Sequence, residues 1–299
     1  MSIHRLSTHT ASDTPDTPVI GTATDVGTNM PYGNGAVVVT FSNATTGGVP
    51  SSYTATSTPD GRTATGSTSP LTIQGLTGNT FYTFTTTAST SSGTSGISGA
   101  TSPVLATTVP SAPTFGSVDS DDGRDYDDGA VNVTFSSNSG GKPILYYTVT
   151  STPSGLSKQL LSPAKFNQLP GGTAASFSVT ATNANGTSAS TSYGTPVTPK
   201  TRPAAPILDS VTAGTNRVTV TFHAGSTGGS AITSYIITYG SPTANSGDTE
   251  HDDKTISVTT TSSPYVILNL KTGYSYRVSV QAVNQYGVSL PSNTISRAV

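Results

Sequence analysis

Six carboxylates fall within ten residues, at Asp119, Asp121, Asp122, Asp125, Asp127 and Asp128, with Arg124 among them. Carboxylates this close repel one another unless they are solvated or bridged by a hard cation such as Ca²⁺. The spacing does not reproduce an EF-hand loop, whose ligands need fixed alternate positions and a distal Glu. The stretch therefore reads as a solvated acidic loop, with a weak Ca²⁺ site as the alternative. A second cluster, Asp248, Glu250, His251, Asp252 and Asp253, holds the only Glu of the chain. Adjacent loop residues rarely converge on one point without a pocket, so solvated surface is again the reading, ahead of a metal or acid–base group.

The remaining histidines are His4, His9 and His223. His223 follows Phe222 in an alternating segment and is expected to point to solvent. Ser is abundant, but no His recurs in a comparable loop, which leaves a Ser-His-Asp arrangement without support. The pairs Gly47-Gly48, Gly140-Gly141 and Gly228-Gly229 lack the Lys-Ser/Thr and the following helix of a phosphate loop, and read as turn glycines. Asn43-Ala44-Thr45, Asn132-Val133-Thr134 and Asn185-Gly186-Thr187 match glycosylation acceptors and are taken as chance in a Thr-rich chain. No residue is assigned a catalytic, cofactor-binding or metal-binding role, and the chain is expected not to be an enzyme.

Composition points to what must position these loops. The 299 residues carry 9% charged residues, no Cys and no Trp, while Ser and Thr supply about a third, a balance suited to short strands and many turns. Without Cys there are no disulfides or zinc–thiolate sites, so each core must hold itself. A net charge of -2 without a Lys/Arg cluster argues against nucleic acid as a partner. No apolar run is long enough for a membrane helix, and the N-terminus lacks the apolar core of a secretory signal, so no membrane partner is expected.

One pattern occurs three times. Ala36-Val37-Val38-Val39-Thr40-Phe41 recurs as Ala130-Val131-Asn132-Val133-Thr134-Phe135 and as Arg217-Val218-Thr219-Val220-Thr221-Phe222. A polar loop ending in the Gly pair follows each Phe, and then a strand expected to open on Tyr53, Tyr147 or Tyr235. Period-two alternation places Val37, Val39 and Phe41 on one face, as in a half-buried antiparallel strand. Leu76 precedes Tyr82, and Leu270 precedes Tyr276, by six residues; in the middle copy Ala175 stands six after Leu169.

These strings resemble fibronectin type III domains, in the variety common in bacterial and phage proteins, with V-x-V-x-[WF], G-G-x-x-I-x-x-Y-x-V and L-x-x-x-T-x-Y-x-V-x-V-x-A-x-N-x-x-G as its marks. The resemblance spans residues 17 to 299. It implies an all-β chain of three tandem immunoglobulin-like β-sandwiches: a polar segment at 1–16, then domains at 17–108, 109–200 and 201–299. Phe41, Phe135 and Phe222 stand where the family usually has Trp, and Ala175 removes a corner Tyr hydroxyl. Thr86 dilutes the first domain where the third has Val280. The Pro-rich linkers at 107–113 and 198–206 favour extended spacing.

The resemblance also implies a role. A virion structural protein of a tailed phage is expected, as a capsid decoration, tail or fibre component that docks other virion proteins through residues 1–16. A host surface glycan is a further expected partner. The alternative is an extracellular bacterial spacer or carbohydrate-adhesion module.

Overall fold

The computed structural model describes residues 14–43, 46–240 and 256–299. Residues 1–13 of the polar segment, with His4 and His9, and the cluster from Asp248 to Asp253 lie outside the described residues. Six sheets form three consecutive sandwiches, and no α-helix occurs among the described residues.

In the first domain β1 (Val19–Asp25), β2 (Gly35–Ser42) and β5 (Leu71–Leu76) form one sheet. The other contains β3 (Ser52–Thr58), β4 (Thr63–Gly66), β6 (Thr80–Thr90), β7 (Gly93–Thr94) and β8 (Val104–Ala106). The second domain repeats this arrangement with β9 (Thr114–Asp121), β10 (Gly129–Ser136) and β13 (Ala164–Leu169) opposite β11 (Ile144–Thr152), β12 (Ser157–Leu160), β14 (Ala175–Asn183), β15 (Gly186–Thr187) and β16 (Thr191–Val197). The third does so with β17 (Ile207–Gly214), β18 (Arg217–His223) and β21 (Tyr265–Leu268) opposite β19 (Ser234–Gly240), β20 (Ile256–Thr260), β22 (Ser275–Asn284), β23 (Gly287–Val288) and β24 (Ile295–Ala298).

Alternation builds each core. Val37, Val39 and Phe41 are buried, as are Val131, Val133 and Phe135, and Val218, Val220 and Phe222. With no Trp, each centre is a Phe packed on the Tyr of the facing sheet: Phe41 on Tyr53 at 4.8 Å between ring centroids, Phe135 on Tyr147 at 4.5 Å and Phe222 on Tyr235 at 4.8 Å. Such tilted pairs suit the ring quadrupole. The backbone N–H of each of these Phe residues donates to a Ser that precedes a Pro, namely Ser69, Ser162 and Ser263.

The corners behave as the resemblance implies. Tyr82 and Tyr276 hydroxyls accept the N–H groups of Thr77 and Lys271, each at 3.0 Å, and Tyr82 donates to Asp60 at 2.6 Å. In the second domain Ala175 is buried at that place, and an edge-to-face Phe166–Phe177 pair packs in the same core.

The last strand of each sandwich uses a device that the alternation does not reveal. Ser289 and Ser292 donate their N–H groups to Ala282 and Val280 carbonyls, and their hydroxyls accept the N–H groups of the same two residues. Ile295 then pairs with Val278. Every third residue of the outer segment thus meets every second residue of β22, as an extended three-per-turn segment requires. Ser95, Ser98 and Thr101 bond in the same way to Ala88, Thr86 and Phe84 in the first domain, and Ser188 to Ala181 in the second.

Candidate functional site

Among the described residues, polar groups from distant parts of the chain converge at the two junctions between domains. Each linker carries the same five-residue pattern, Val109-Pro110-Ser111-Ala112-Pro113 and Arg202-Pro203-Ala204-Ala205-Pro206. Proline fixes backbone angle and removes a donor, so the linker enters the next sandwich already extended. The residue just before each pattern anchors it: Thr108 N–H donates to Gly140 and Thr201 N–H to Gly228.

These glycines do more than turn. At Gly140 a Cβ would lie 2.6 Å from both Thr108 Oγ1 and the Val109 carbonyl oxygen, and at Gly228 it would lie 2.5 Å from the Arg202 carbonyl oxygen. Both have positive φ, 67° and 68°. Only a residue without a side chain admits the linker this closely.

Buried asparagines close the slot from the other side. Asn183 Nδ2 donates to the carbonyls of Thr108 (2.9 Å) and Ser139 (2.7 Å), and Asn284 Nδ2 donates to those of Thr201 (2.9 Å) and Thr227 (3.0 Å). An amide suits this place because it supplies two donors without a charge to desolvate. Thr14-Pro15-Asp16-Thr17-Pro18 copies the pattern ahead of the first domain. Pro15 bridges Gly47 there, and Thr90 stands at the Asn position.

The loop between the first two strands of the preceding domain grips each linker. At the first junction Asp25 accepts both the N–H and the hydroxyl of Thr107. Asn29 N–H donates to Asn185, Val109 N–H donates to Met30, and Asn185 Nδ2 donates to Thr107 Oγ1 at 2.7 Å. The first-junction loop thereby holds its linker through one carboxylate and several neutral groups.

At the second junction the gripping loop is the acidic stretch. Gly123 N–H donates to Lys200 and Arg202 N–H to Arg124, both at 2.9 Å, so loop and linker lie side by side as a short parallel bridge. Asp122 accepts the Lys200 N–H at 3.1 Å and the Tyr286 hydroxyl of the third domain at 3.2 Å. Asp125 pairs with Arg202 at 3.1 Å. Within the loop Arg124 binds the Asp128 carboxylate and its carbonyl and reaches Asp121 at 3.5 Å, while Lys165 of β13 meets Asp121 at 2.9 Å. The Lys165 hydrogen bond holds the Asp121 carboxyl below its ordinary range, against a smaller opposing effect of burial.

Basic groups and hydrogen-bond donors thus engage Asp121, Asp122, Asp125 and Asp128. No group of three or more His, Cys, Asp or Glu side chains is placed to hold a metal ion among the described residues. His223 is exposed and pairs with Asp209 at 2.8 Å. Each junction leaves a cleft of similar size. The first, about 350 Å³, is lined by Tyr32, Pro31 and Pro110; the second, about 360 Å³, by Tyr126, Arg202, Pro203 and Leu290 with acidic walls.

This strand order, with its paired sheets, tyrosine corner and extended final segment, is matched by a known family over the third domain. Residues 204–298 match the fibronectin type III domain. The first and second domains repeat the fibronectin type III sandwich of the third strand for strand. A crystal structure of the chicken CNTN1 FN1–FN3 domains is similar at 19% identity, covering 95% of this chain and 99% of that one, with a TM-score of 0.37. No curated protein matches the chain. Tandem fibronectin type III domains are typically non-catalytic scaffolds that serve as spacers or adhesion modules, and proteins that carry them are commonly extracellular. No helix among the described residues is long and apolar enough to cross a membrane.

The acidic stretch, read from sequence as a loop, begins inside β9, which holds Asp119 and Asp121, and ends in a single 3-10 turn at Tyr126–Asp128; the Gly pairs lie on turns as expected, and what the sequence reading missed is that the acidic stretch, Gly140 and Gly228 each meet an inter-domain linker. One signal was present: Asn183 and Asn284 occupy the same place in their repeats, and Pro110 and Pro203 do likewise.

Proposed function

We propose that the chain is a non-enzymatic projecting element that holds three sandwiches in a set order and orientation, and that it belongs to the surface of a tailed-phage virion as a decoration, tail or fibre component. The clasped junctions carry the first part of this reading. A flexible string of beads needs no buried asparagines, no side-chain-free glycines and no loop laid along each linker. The assignment to a virion draws its support from the likeness of the repeated strings to bacterial and phage sequences. In this reading residues 1–16 dock other virion proteins.

The test is purification of particles from cells in which the chain is produced alongside the phage. Incorporation at a fixed copy number is expected, and removal of residues 1–16 should abolish it. A chain that never accompanies particles refutes the virion assignment.

One observation favours adhesion to glycan as a second reading. Thr65, Thr54 and Thr87 stand side by side across β4, β3 and β6, and Thr63, Thr56 and Thr85 form the next row. Ser157, Thr150 and Ser178 repeat a row in the second domain, and Ser257, Thr238 and Ser279 in the third. Hydroxyls about 4.8 Å apart within each row, one per strand, present an uncharged hydroxyl grid, suited to a neutral polysaccharide. Retention on a glycan array by the whole chain would support it.

A further inference from the structure

Each junction joins the exit pole of one sandwich, where its last strand ends, to the entry pole of the next. We propose that this clasped series is closed at both ends: the exit pole of the third domain cannot hold another sandwich as the first two domains hold theirs, and copies of this chain do not lock head to tail. The inference rests on the reading that the two internal junctions are clasped.

The exit poles of the first and second domains receive the linker in the same three ways. The connection between the first two strands, residues 26–34 and 122–128, bonds to it. Gly78 and Gly171, each two residues after Leu76 and Leu169, are buried beneath the linker threonine. A Cβ at Gly78 would lie 2.6 Å from Thr108 Oγ1, and one at Gly171 would overlap Thr201 Oγ1. Neither glycine has positive φ, so it is the closeness of the linker, and not the backbone angle, that excludes a side chain. Gly35 and Gly129 face the same threonines, where a Cβ would lie 3.4 Å from Thr108 Cγ2 and 3.3 Å from Thr201 Cγ2.

The third domain keeps none of the three among the described residues. Its first two strands are joined by Thr215 and Asn216 alone, a hairpin that leaves no segment to lay along a linker. Thr272 stands two residues after Leu270, at the place of Gly78 and Gly171, and is exposed. Its side chain occupies the space that a linker threonine needs empty. Asn216 stands at the place of Gly35 and Gly129. A linker brought to this pole meets two side chains and no gripping loop.

The entry pole of the first domain is altered as well. Gly140 and Gly228 stand seven residues before Tyr147 and Tyr235, and Thr46 stands seven before Tyr53. A β-branched side chain thus takes the place that each internal junction keeps bare, and Thr90 takes the place of Asn183 and Asn284. Head-to-tail locking would bring this pole against the exit pole of the third domain, and neither carries its full half of the clasp. A sandwich placed after the third domain is tethered and not held.

The test is a fusion of residues 1–299 to a second copy of residues 200–299. The joint is in register, because the Val299 carbonyl accepts the Gly273 N–H as the Pro199 carbonyl accepts that of Gly172. One linker and one entry pole then meet the second domain's exit pole at the native junction and the third domain's at the new one. The chain has no Cys, so spin labels at Ser157→Cys with the first Ser257→Cys read the native junction, and labels at both Ser257→Cys sites read the new one, by pulsed dipolar distance measurement. The new distribution should be at least double the width of the native one, since domains without a firm interface move relative to each other. In the chain itself Gly171→Thr should widen the Ser157→Cys with Ser257→Cys distribution and leave that of Thr65→Cys with Ser157→Cys unchanged, with circular dichroism confirming the fold. A new junction as narrow as the native one overturns the inference, and so does a folded Gly171→Thr variant that is not widened. A native junction already as wide as the new one refutes the clasped reading itself.

Discussion

Thr86 carries a hydroxyl in the wrong place. It lies on β6 opposite Ala55 of β3, is 1% exposed, and its Oγ1 has no hydrogen-bond partner. Val179 and Val280 occupy the same place in the other two sandwiches and are equally buried. Thr86→Val keeps the branched shape and the strand preference of the residue and removes one stranded polar atom. A buried group without its partner costs about 1 to 3 kcal/mol, and the added methyl contributes at most about 0.8 kcal/mol more. The first domain should gain about 1 to 3 kcal/mol. At about 4 to 8 °C per kcal/mol for a domain of this size, its melting transition should rise by at least about 4 °C. Calorimetry of the whole chain reads this, and the reverse change Val280→Thr should lower the third domain's transition by a similar amount. An unchanged or lowered transition in Thr86→Val would refute the reasoning, because it would mean that the hydroxyl is satisfied or that its environment is wet.

Two further changes test the devices described above. Ser292→Ala leaves the buried Val280 N–H without the hydroxyl that accepts it at 2.9 Å; a loss of about 1 to 3 kcal/mol is expected, read by urea unfolding, whereas Ser296→Ala, on an exposed position of β24, should be neutral. Asn284→Ala removes the amide donor shared by the carbonyls of Thr201 and Thr227 and should expose the linker at Thr201 to proteolysis, with cleavage between the second and third domains appearing before any within them.

Much of the fold was legible because it is local. Val37, Val39 and Phe41 alternate, and so do their copies, because successive side chains of a strand point to opposite faces. The corner tyrosines and the absence of one at Ala175 were equally plain, since six residues of spacing place the hydroxyl at the corner. The hydroxyl-every-third pattern at Ser95, Ser98 and Thr101 was also present, but its period belongs to an extended three-per-turn segment and hides in a chain where about a third of residues bear hydroxyls.

The junctions were a different matter. The acidic loop looks like a solvated cluster because its like charges are neighbours in sequence, while the groups that engage it are distant: the cations Lys165 and Arg202 and the hydroxyl of Tyr286. The Gly pairs look like turns, and they are, but the reason a side chain is excluded is a linker from outside the turn. The amino-acid sequence by itself determined three sandwiches and their cores, since alternation and repeat period act within a domain. Only the tertiary structure decided how neighbours are held, because the groups that meet at a junction come from different domains and are far apart in the chain.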